Sequence, residues 1–310
     1  MDAVLVVDKP TGPTSFDVVR RVRRAARIKR VGHGGTLDPA ASGVLPICLG
    51  EATKLSQFLL DADKQYAFTV CFGVETDTED AAGTVTARQD AGGVDEAAVR
   101  RALPAFRGPI AQVPPIYSAL KRAGRPLYDY ARAGEAIEVQ PRDVVIHELE
   151  MTSFAGPAAV AFTMRCSKGT YVRSLARDLG RALGVGGHVT TLRRTRSGPF
   201  SLEDAQPLDQ VLAALADGAA GPSALPLVEP AQALGHLDRR VVTETVARDV
   251  RMGRKIILET GDPAPDRRLC LVDQGGKLVA VAQTRPDRSL ELIRVFQYEQ
   301  NPQGVPHLPR

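Results

Sequence analysis

The residues best suited to chemistry lie in one short stretch, VGHGGTLDPAASGVLP, which runs from Val31 to Pro46. It holds a single carboxylate, Asp38, and a single imidazole, His33, on the same loop. An aspartate before a proline is by itself most often a turn residue or a helix cap. The glycines beside His33 favour a second interpretation, because they allow a ligand to approach the backbone closely. On a loop held by a rigid scaffold, Asp38 is then a candidate catalytic group.

Other kinds of active site match this stretch poorly. Asp38 and His33 supply only two metal ligands, and ETDTED (75–80) lacks the glycine and glutamate spacing of a calcium loop. GHGGTLD has neither the Lys-Ser/Thr of a P-loop nor a dinucleotide-binding turn. We therefore predict no metal, no P-loop and no dinucleotide site, and a carboxylate that acts as a nucleophile or stabilises an oxocarbenium ion. Ordinary glycosidases use two such carboxylates, whereas this sequence offers one good candidate.

Basic residues are concentrated in two segments that contain almost no balancing acid. Arg20 to Arg30 has seven basic residues and no acid, and Arg165 to Arg196 has eight basic residues against Asp178 alone. Such runs are usually solvated helix faces, but two of them without balancing acids favour a polyanionic partner. The side chains predicted to contact the phosphates of such a partner are Arg20, Arg23, Arg24, Arg27, Arg193, Arg194 and Arg196.

The bulk composition is that of a folded protein that does not enter a membrane. The chain has 310 residues and is 44% hydrophobic, so it can form a substantial core. Its net charge is +4. No apolar run is long enough to span a bilayer, and the first residues resemble a strand rather than a signal peptide. The four cysteines are widely scattered, which predicts reduced thiols and a cytoplasmic location.

Alternating strand and helix patterns place the candidate residues at element ends. Val4 to Val7 is a short strand, and Ser15 is predicted to cap a helix whose apolar face is Phe16, Val19, Val22 and Ala26. A half-buried strand begins at KQYAF and a helix at GTYVRS, followed by the strand HVTTLRRTRSG. These patterns predict an α/β (α+β) fold with a mixed, largely antiparallel sheet.

A change in composition predicts a division into two domains. The segment from Ala213 to Pro230 is rich in Ala, Gly and Pro, and short β segments follow it. We predict a catalytic domain over 1–230, a small β-rich domain over 231–298 and a flexible tail over 299–310.

Six blocks, in order, resemble the bacterial tRNA pseudouridine synthase B family. The similarity extends from about Val4 to Pro230, which is far more specific than any single motif. The blocks are VVDKPTGPTS (6–15), VGHGGTLDPAASGVLPICLGEATKL (31–55), KQYAFTVCFGVETDTEDAAG (64–83), QVPPIYSALKRAGRPLYDYARAG (112–134), CSKGTYVRSLARDLG (166–180) and GGHVTTLRRTRSGPF (186–200).

The resemblance implies a fold, an activity and a partner. The fold is the pseudouridine synthase fold, with a C-terminal domain similar to a PUA RNA-binding domain. The activity is the isomerisation, without a cofactor, of the uridine at position 55 in the T loop of tRNA to pseudouridine. The partner is the tRNA T stem-loop, and the family implies a monomer with no obligate protein partner and no membrane association.

The resemblance also assigns roles to individual residues. Asp38 matches the catalytic nucleophile, Arg173 the arginine that pairs with it, and Tyr66 the tyrosine that stacks on the uracil. His33 matches the histidine that fills the space of the flipped nucleotide, and Tyr171 and Leu192 match residues that line the base pocket. On pattern alone, Tyr66 is a core aromatic, His33 a turn residue and Arg173 a surface arginine.

Three positions and three alternatives stay open. Lys9 is predicted to support the active-site loop, Asp80 either contacts RNA or orders its own turn, and Gly34 stands where many family members have threonine. A non-catalytic RNA-binding protein of the same fold, a glycosylase that releases free uracil, and a synthase directed at a different RNA remain alternatives.

Overall fold

The structure is a computed structural model that describes residues 1–217, 225–257, 264 and 266–298. Its strands are β1 Ala3–Lys9, β2 Val31–His33, β3 Ser42–Leu49, β4 Lys64–Phe72, β5 Val74–Thr76, β6 Val85–Arg88, β7 Gly108–Gln112, β8 Lys121–Arg122, β9 Arg125–Pro126, β10 Arg142–Phe154, β11 Val160–Cys166, β12 Gly187–Ser197, β13 Phe200–Ser201, β14 Gln206–Pro207, β15 Leu227–Val228, β16 Asp238–Val241, β17 Arg268–Val272, β18 Leu278–Thr284 and β19 Leu290–Val295. Its helices are α1 Ser15–Ala26, α2 Ser56–Asp61, α3 Glu96–Ala102, α4 Leu127–Arg132, α5 Val172–Ala182, α6 Leu208–Ala216, α7 Pro230–Ala233 and α8 Glu244–Arg251. None of these helices is both long and apolar enough to cross a membrane.

One large sheet forms the centre of the molecule. Its main path runs β14-β1-β3-β12-β4-β11-β10-β7. The β1–β14 and β12–β3 pairs are parallel and the other pairs on this path are antiparallel. The prediction of an α/β fold with a mixed, largely antiparallel sheet is confirmed. The parallel contact between β3 and β12 matters most here, because it brings the Asp38 loop beside the strand that carries Leu192.

The chain after α7 forms a second sheet in the order β16-β17-β18-β19, with α8 packed against it. This is the small β-rich module expected from the sequence. One hydrophobic cluster nevertheless contains side chains of both sheets, including Val4 and Val44 of the large sheet and Cys270 and Val281 of the second. The division at residue 230 stays a prediction, and the predicted tail at 299–310 lies outside the described residues.

Helix α1 differs from the prediction at its first turn. Thr14, not Ser15, is the N-cap, and it forms a capping box with Asp17. Ser15 instead turns inward, where its hydroxyl accepts a hydrogen bond from Leu37 N–H (2.8 Å) and donates one to Leu37 O (3.0 Å). Phe16 was expected on the apolar face but is 58% exposed, and Val18 takes its place in the core. Val19 and Val22 of the predicted apolar face are buried as expected.

Candidate active site

Asp38 lies in the loop between β2 and β3, opposite the second residue of α5. Arg173 Nε donates to Asp38 Oδ2 at 2.9 Å, across 135 positions of sequence. The Arg173 side chain is 5% exposed and that of Asp38 is 36% exposed. The guanidinium is therefore withdrawn from water and needs an anionic partner, whereas the carboxylate still faces a pocket.

The remaining N–H groups of Arg173 fix it to two other loops. Nη1 donates to Thr78 O (2.9 Å) and Nη2 to Tyr117 O (3.0 Å). Asp80 Oδ2 lies 3.9 Å from Arg173 Nε, while Asp80 Oδ1 accepts hydrogen bonds from Thr78 Oγ1 and Ala82 N–H. Asp80 thus both orders its own turn and adds negative charge beside Arg173.

A pocket opens at this ion pair. Its lining combines charged groups with small or apolar side chains, namely Asp38, Ala40, Ala41, Asp80, Ala81, Arg173, Val189, Thr190 and Leu192. The β4–β12 ladder shifts register between Val189 and Thr191, so a bulge in β12 lies in the pocket wall. The described residues contain no cluster of three or more His, Cys, Asp or Glu side chains that could hold a metal ion.

Two tyrosines lie close to this pocket. Tyr66 is on β4 and packs against two hydrophobic clusters. Burial raises the pKa of its phenol, and the neighbouring Arg194 guanidinium opposes that rise. Tyr171 immediately precedes α5, where Gln112 both donates to its carbonyl (3.1 Å) and accepts from its N–H (2.8 Å). Burial also raises the pKa of Tyr171, so both phenols are neutral near neutral pH.

Arg194 corrects the predicted set of phosphate contacts. It is 1% exposed and donates to the carbonyls of Val44 (2.8 Å), Thr36 (3.0 Å) and Gly35 (3.1 Å). A guanidinium enclosed in this way cannot reach an RNA backbone. The predicted contact was wrong because the strand pattern did not reveal that residue 194 points inward, beneath the Asp38 loop and beside Tyr66.

One glycine of the Asp38 loop serves a different purpose from the one expected. A Cβ on Gly34 would lie 2.8 Å from Leu59 Cβ, so this glycine makes room for a core side chain rather than for a ligand. A Cβ on Gly35 would approach the Arg194 guanidinium at 3.5 Å, which is an ordinary van der Waals contact. His33 is half-buried on the same loop, where its Nδ1 accepts from Gly35 N–H (3.3 Å). Burial lowers the pKa of His33, which favours the neutral imidazole.

The other arginines predicted to contact phosphates remain at the surface. Arg20, Arg23, Arg24 and Arg27 are exposed along α1 and its C-cap. Arg20 forms an ion pair with Asp17, and Arg193 forms one with Asp8 at 2.7 Å. Arg196 is exposed and donates to the carbonyl of Gly198 at 3.2 Å.

Lys9 is a buried cation that joins two loops at the site. Its ammonium donates to Pro10 O (2.8 Å), Pro13 O (2.9 Å) and Pro39 O (3.4 Å), and the residue is 0% exposed. Burial lowers the pKa of Lys9 to about 8, with a raising contribution from Asp38 and a lowering one from Arg194. Lys9 therefore ties the residue after Asp38 to the loop before α1, as expected from the sequence.

We expect the rate of the reaction at this site to fall as the pH rises through about 8. The neutral Lys9 amine has two N–H groups for three carbonyls, so one hydrogen bond to the loops is lost. The free energy of unfolding should not fall with it. The folded pKa lies below the ordinary 10.5, so the unfolded chain binds more protons in that window and this group's titration favours folding.

The pH profile of turnover, measured for the wild type, Lys9→Met and Lys64→Met, checks this expectation. Lys64 is a matched control, because its pKa is also lowered to about 8 by burial and its ammonium also caps carbonyls, at the end of α2. The alkaline limb should disappear only in Lys9→Met. An unchanged limb in that variant would assign the titration to another group.

Several residues of this site were missed in the sequence. Thr78 and Tyr117 act through their carbonyls, which no side-chain pattern reveals. Glu79 and Arg177 flank the ion pair and were not singled out. One sequence pattern could have revealed Arg177. Arg173, Arg177 and Arg181 recur at helical spacing and share one face of α5.

The chain is similar in sequence to known proteins over most of its length. It is 44% identical over 309 residues to tRNA pseudouridine synthase B of Geobacter sulfurreducens, covering 96% of this chain and 100% of the relative. It is 55% identical over 217 residues to the enzyme of the same name from Burkholderia pseudomallei strain 668, covering 70% of this chain and 71% of the relative.

Solved structures show the same fold. The Cbf5 chain of a Cbf5-Nop10-Gar1 complex superposes with a TM-score of 0.74 at 26% identity, covering 95% of this chain and 85% of that one. Residues 23–172 match the family model described as TruB family pseudouridylate synthase (N terminal domain). Residues 173–234 match the model of the tRNA pseudouridylate synthase B C-terminal domain. With both models matched in succession and relatives this similar along the whole chain, the protein belongs to the TruB family of pseudouridylate synthases.

Proposed function

We propose that this chain isomerises the uridine at position 55 in the T loop of tRNA to pseudouridine, with Asp38 as the nucleophile. The observation that carries the proposal is the Asp38–Arg173 ion pair, half open to a pocket whose other walls are apolar or small side chains and Asp80. Family membership supports the reaction class, and the names of the relatives support tRNA as the substrate.

The reaction exchanges one bond to the ribose for another. The N1–C1′ bond breaks, the uracil rotates, a C5–C1′ bond forms, and C5 loses a proton while N1 gains one. Because the product is an isomer, no cofactor has to supply atoms or electrons. Asp38 acts on the ribose, Arg173 holds the carboxylate in place, and Leu192 helps to keep the detached base in a pocket that excludes water.

Tyr66 and Arg194 are the residues proposed to act on the uracil base. The Tyr66 phenol stacks on the uracil and gives its proton to N1 of the detached base, and the phenolate that remains then accepts the C5 proton, which restores the phenol. Arg194, which is too buried to contact a phosphate, stabilises that phenolate. Tyr171 lines the pocket from the start of α5, and His33 occupies the space of the flipped nucleotide.

The test uses a T stem-loop RNA with tritium at C5 of the target uracil. The synthase releases tritium to water and leaves no free base, because isomerisation exchanges the C5 hydrogen and retains the uracil. A glycosylase would release free uracil, which chromatography detects. Tight RNA binding without tritium release would indicate a binding protein or a different RNA target.

The arginine surface of α1 is proposed to hold RNA phosphates. Replacing Arg23, Arg24 and Arg27 together with glutamine should weaken RNA binding at low salt. The slope of log affinity against log salt should become shallower by about 2 to 3, since each lost phosphate contact accounts for roughly 0.7–0.9. A triple glutamine variant of the exposed Arg88, Arg100 and Arg101 is the matched control. Equal slopes in the two triple variants would refute this footprint.

The remaining assignments are also proposals. We propose that the protein is a monomer with no obligate protein partner. We also propose a cytoplasmic location, which is supported by four cysteines that form no disulfide. The module built on β16–β19 is proposed to be a PUA-like RNA-binding domain, supported by its size and β-rich architecture. Sedimentation of the free protein measures its oligomeric state.

A further inference from the structure

Helix α5 carries three arginines on one face, and each pairs with an acid of the segment 75–80. Arg173 lies near Asp80, Arg177 pairs with Glu79, and Arg181 Nε lies 3.1 Å from Glu75 Oε1. The middle pair differs from the last, because Arg177 and Glu79 are only 11% and 12% exposed whereas Arg181 is 59% exposed. A nearly buried ion pair is costly unless its hydrogen bonds are satisfied.

Arg177 contacts the same two loops as Arg173. Its guanidinium donates to the Glu79 carboxylate, to Val113 O (3.0 Å) and to Asp178 Oδ1 (2.8 Å). Arg173, one turn earlier, donates to Thr78 O and Tyr117 O. Each arginine therefore links the turn at 78–79 to the segment at 113–117.

Glu79 is fixed independently of Arg177. Its second oxygen accepts a hydrogen bond from Ser174 Oγ (3.0 Å), a fully buried hydroxyl on α5. Its carbonyl accepts from Val189 N–H (3.1 Å) on β12, in the pocket wall. Glu79 also has a positive φ of 62°, an unfavourable conformation for a residue other than glycine, so its surroundings must hold it there.

We propose that Arg177 and Glu79 are positioning residues that fix the two carbonyls on which Arg173 depends, and through Arg173 the Asp38 carboxylate. The inference rests on the proposed function. Neither residue is itself part of the pocket lining. Their effect on catalysis is indirect, because a displaced Thr78 or Tyr117 carbonyl leaves a buried guanidinium free to turn away from Asp38.

The experiment compares Glu79→Gln, Arg177→Met and the double variant with the wild type. Single-turnover tritium release with excess enzyme gives the rate of the chemical step, RNA binding gives Kd, and heating gives Tm. Glu75→Gln and Arg181→Met are matched controls, because this pair lies at the next turn of the same face of α5, is more exposed (23% for Glu75 and 59% for Arg181) and contacts neither carbonyl. We expect each buried-pair variant to react about 10- to 100-fold more slowly, as for a misplaced catalytic group, with Kd unchanged and the controls at the wild-type rate.

The signs of the two charge changes separate positioning from RNA attraction. Glu79→Gln makes the net charge more positive and Arg177→Met makes it more negative, so a general effect on a polyanion would move Kd in opposite directions. Positioning lowers the rate in both variants. It also makes the losses non-additive, because the two residues act as one unit.

Three results would overturn the inference. Wild-type rates in both single variants would do so, as would equal rate losses in the controls. If a single variant unfolds at the assay temperature, the double variant decides, because it leaves no unpaired buried charge, and a wild-type rate there refutes positioning. A wild type that releases no tritium would overturn the proposed function itself, and the inference would fall with it.

Discussion

Asp38→Asn is expected to abolish tritium release while leaving RNA binding in place. Asparagine keeps the shape of the side chain but has neither the negative charge nor the nucleophilic oxygen. For comparison, removal of a covalent nucleophile lowers turnover by roughly 10⁶-fold in a well-studied protease. We expect a loss on the order of 10⁴-fold or more, because no second carboxylate can take over: Asp80 is held by its own turn through Thr78 Oγ1 and Ala82 N–H.

The control for this variant is Asp95→Asn. Asp95 caps α3 through Ala98 N–H (2.6 Å) and is exposed, so the same change of atoms occurs away from the pocket. Its turnover should equal that of the wild type. Binding of the T stem-loop and Tm are measured for both variants. Substantial tritium release by Asp38→Asn would remove Asp38 from the chemistry, whatever its effect on stability.

Gly43→Ala, at the second residue of β3, should cause the largest loss of stability among single methyl additions near Asp38. Gly43 has a φ of +106°, and a Cβ there would lie 2.2 Å from Arg194 O and 2.8 Å from Arg194 N. Gly43 faces Arg194 in the parallel β3–β12 pair. The added methyl group must separate these strands and displace the guanidinium that holds three carbonyls around the Asp38 loop. We expect about 3 kcal/mol or more in the free energy of unfolding, together with a loss of activity.

Gly12→Ala isolates the steric part of that effect. Gly12 has nearly the same φ, +107°, but nothing lies within 4 Å of the position that an added methyl group would take. Backbone strain alone, about 1–3 kcal/mol, is common to both variants, so the difference measured by chemical denaturation reports the clash with β12. Equal free energies of unfolding for the two variants would show that β3 and β12 can move apart at little cost.

The sequence predicted the fold well where local periodicity and order along the chain decide the outcome. The strand at Lys64–Phe72 and the helix at Val172–Ala182 follow from alternation and from helical spacing. The start of α1 was misjudged by one residue, because Thr14 and Ser15 are equally good caps on composition. Only the contact of Ser15 with Leu37 across the molecule distinguishes them.

The charged residues of the candidate site could be predicted, but the groups that hold them in place could not. Asp38 and Arg173 could be selected by motif, and the structure brings them together. The sequence pattern could not show which of Arg193 and Arg194 points inward. Neighbouring residues on a strand face opposite sides, but a bulge changes which side each residue faces. The carbonyls that hold Arg173 leave no trace in residue types, because every residue has a carbonyl.

The long separation between Asp38 and Arg173 has a consequence for how the molecule is made. The 135 positions between them mean that a growing chain presents its carboxylate long before its cationic partner is synthesised. Contacts this distant along the chain form late, after the intervening strands have paired. Arg173 in turn requires the turn at 78 and the segment at 117, which ties its placement to the closure of the sheet. Catalytic competence should therefore arise at a late, cooperative step of folding, so a nascent or truncated chain is prevented from acting on RNA.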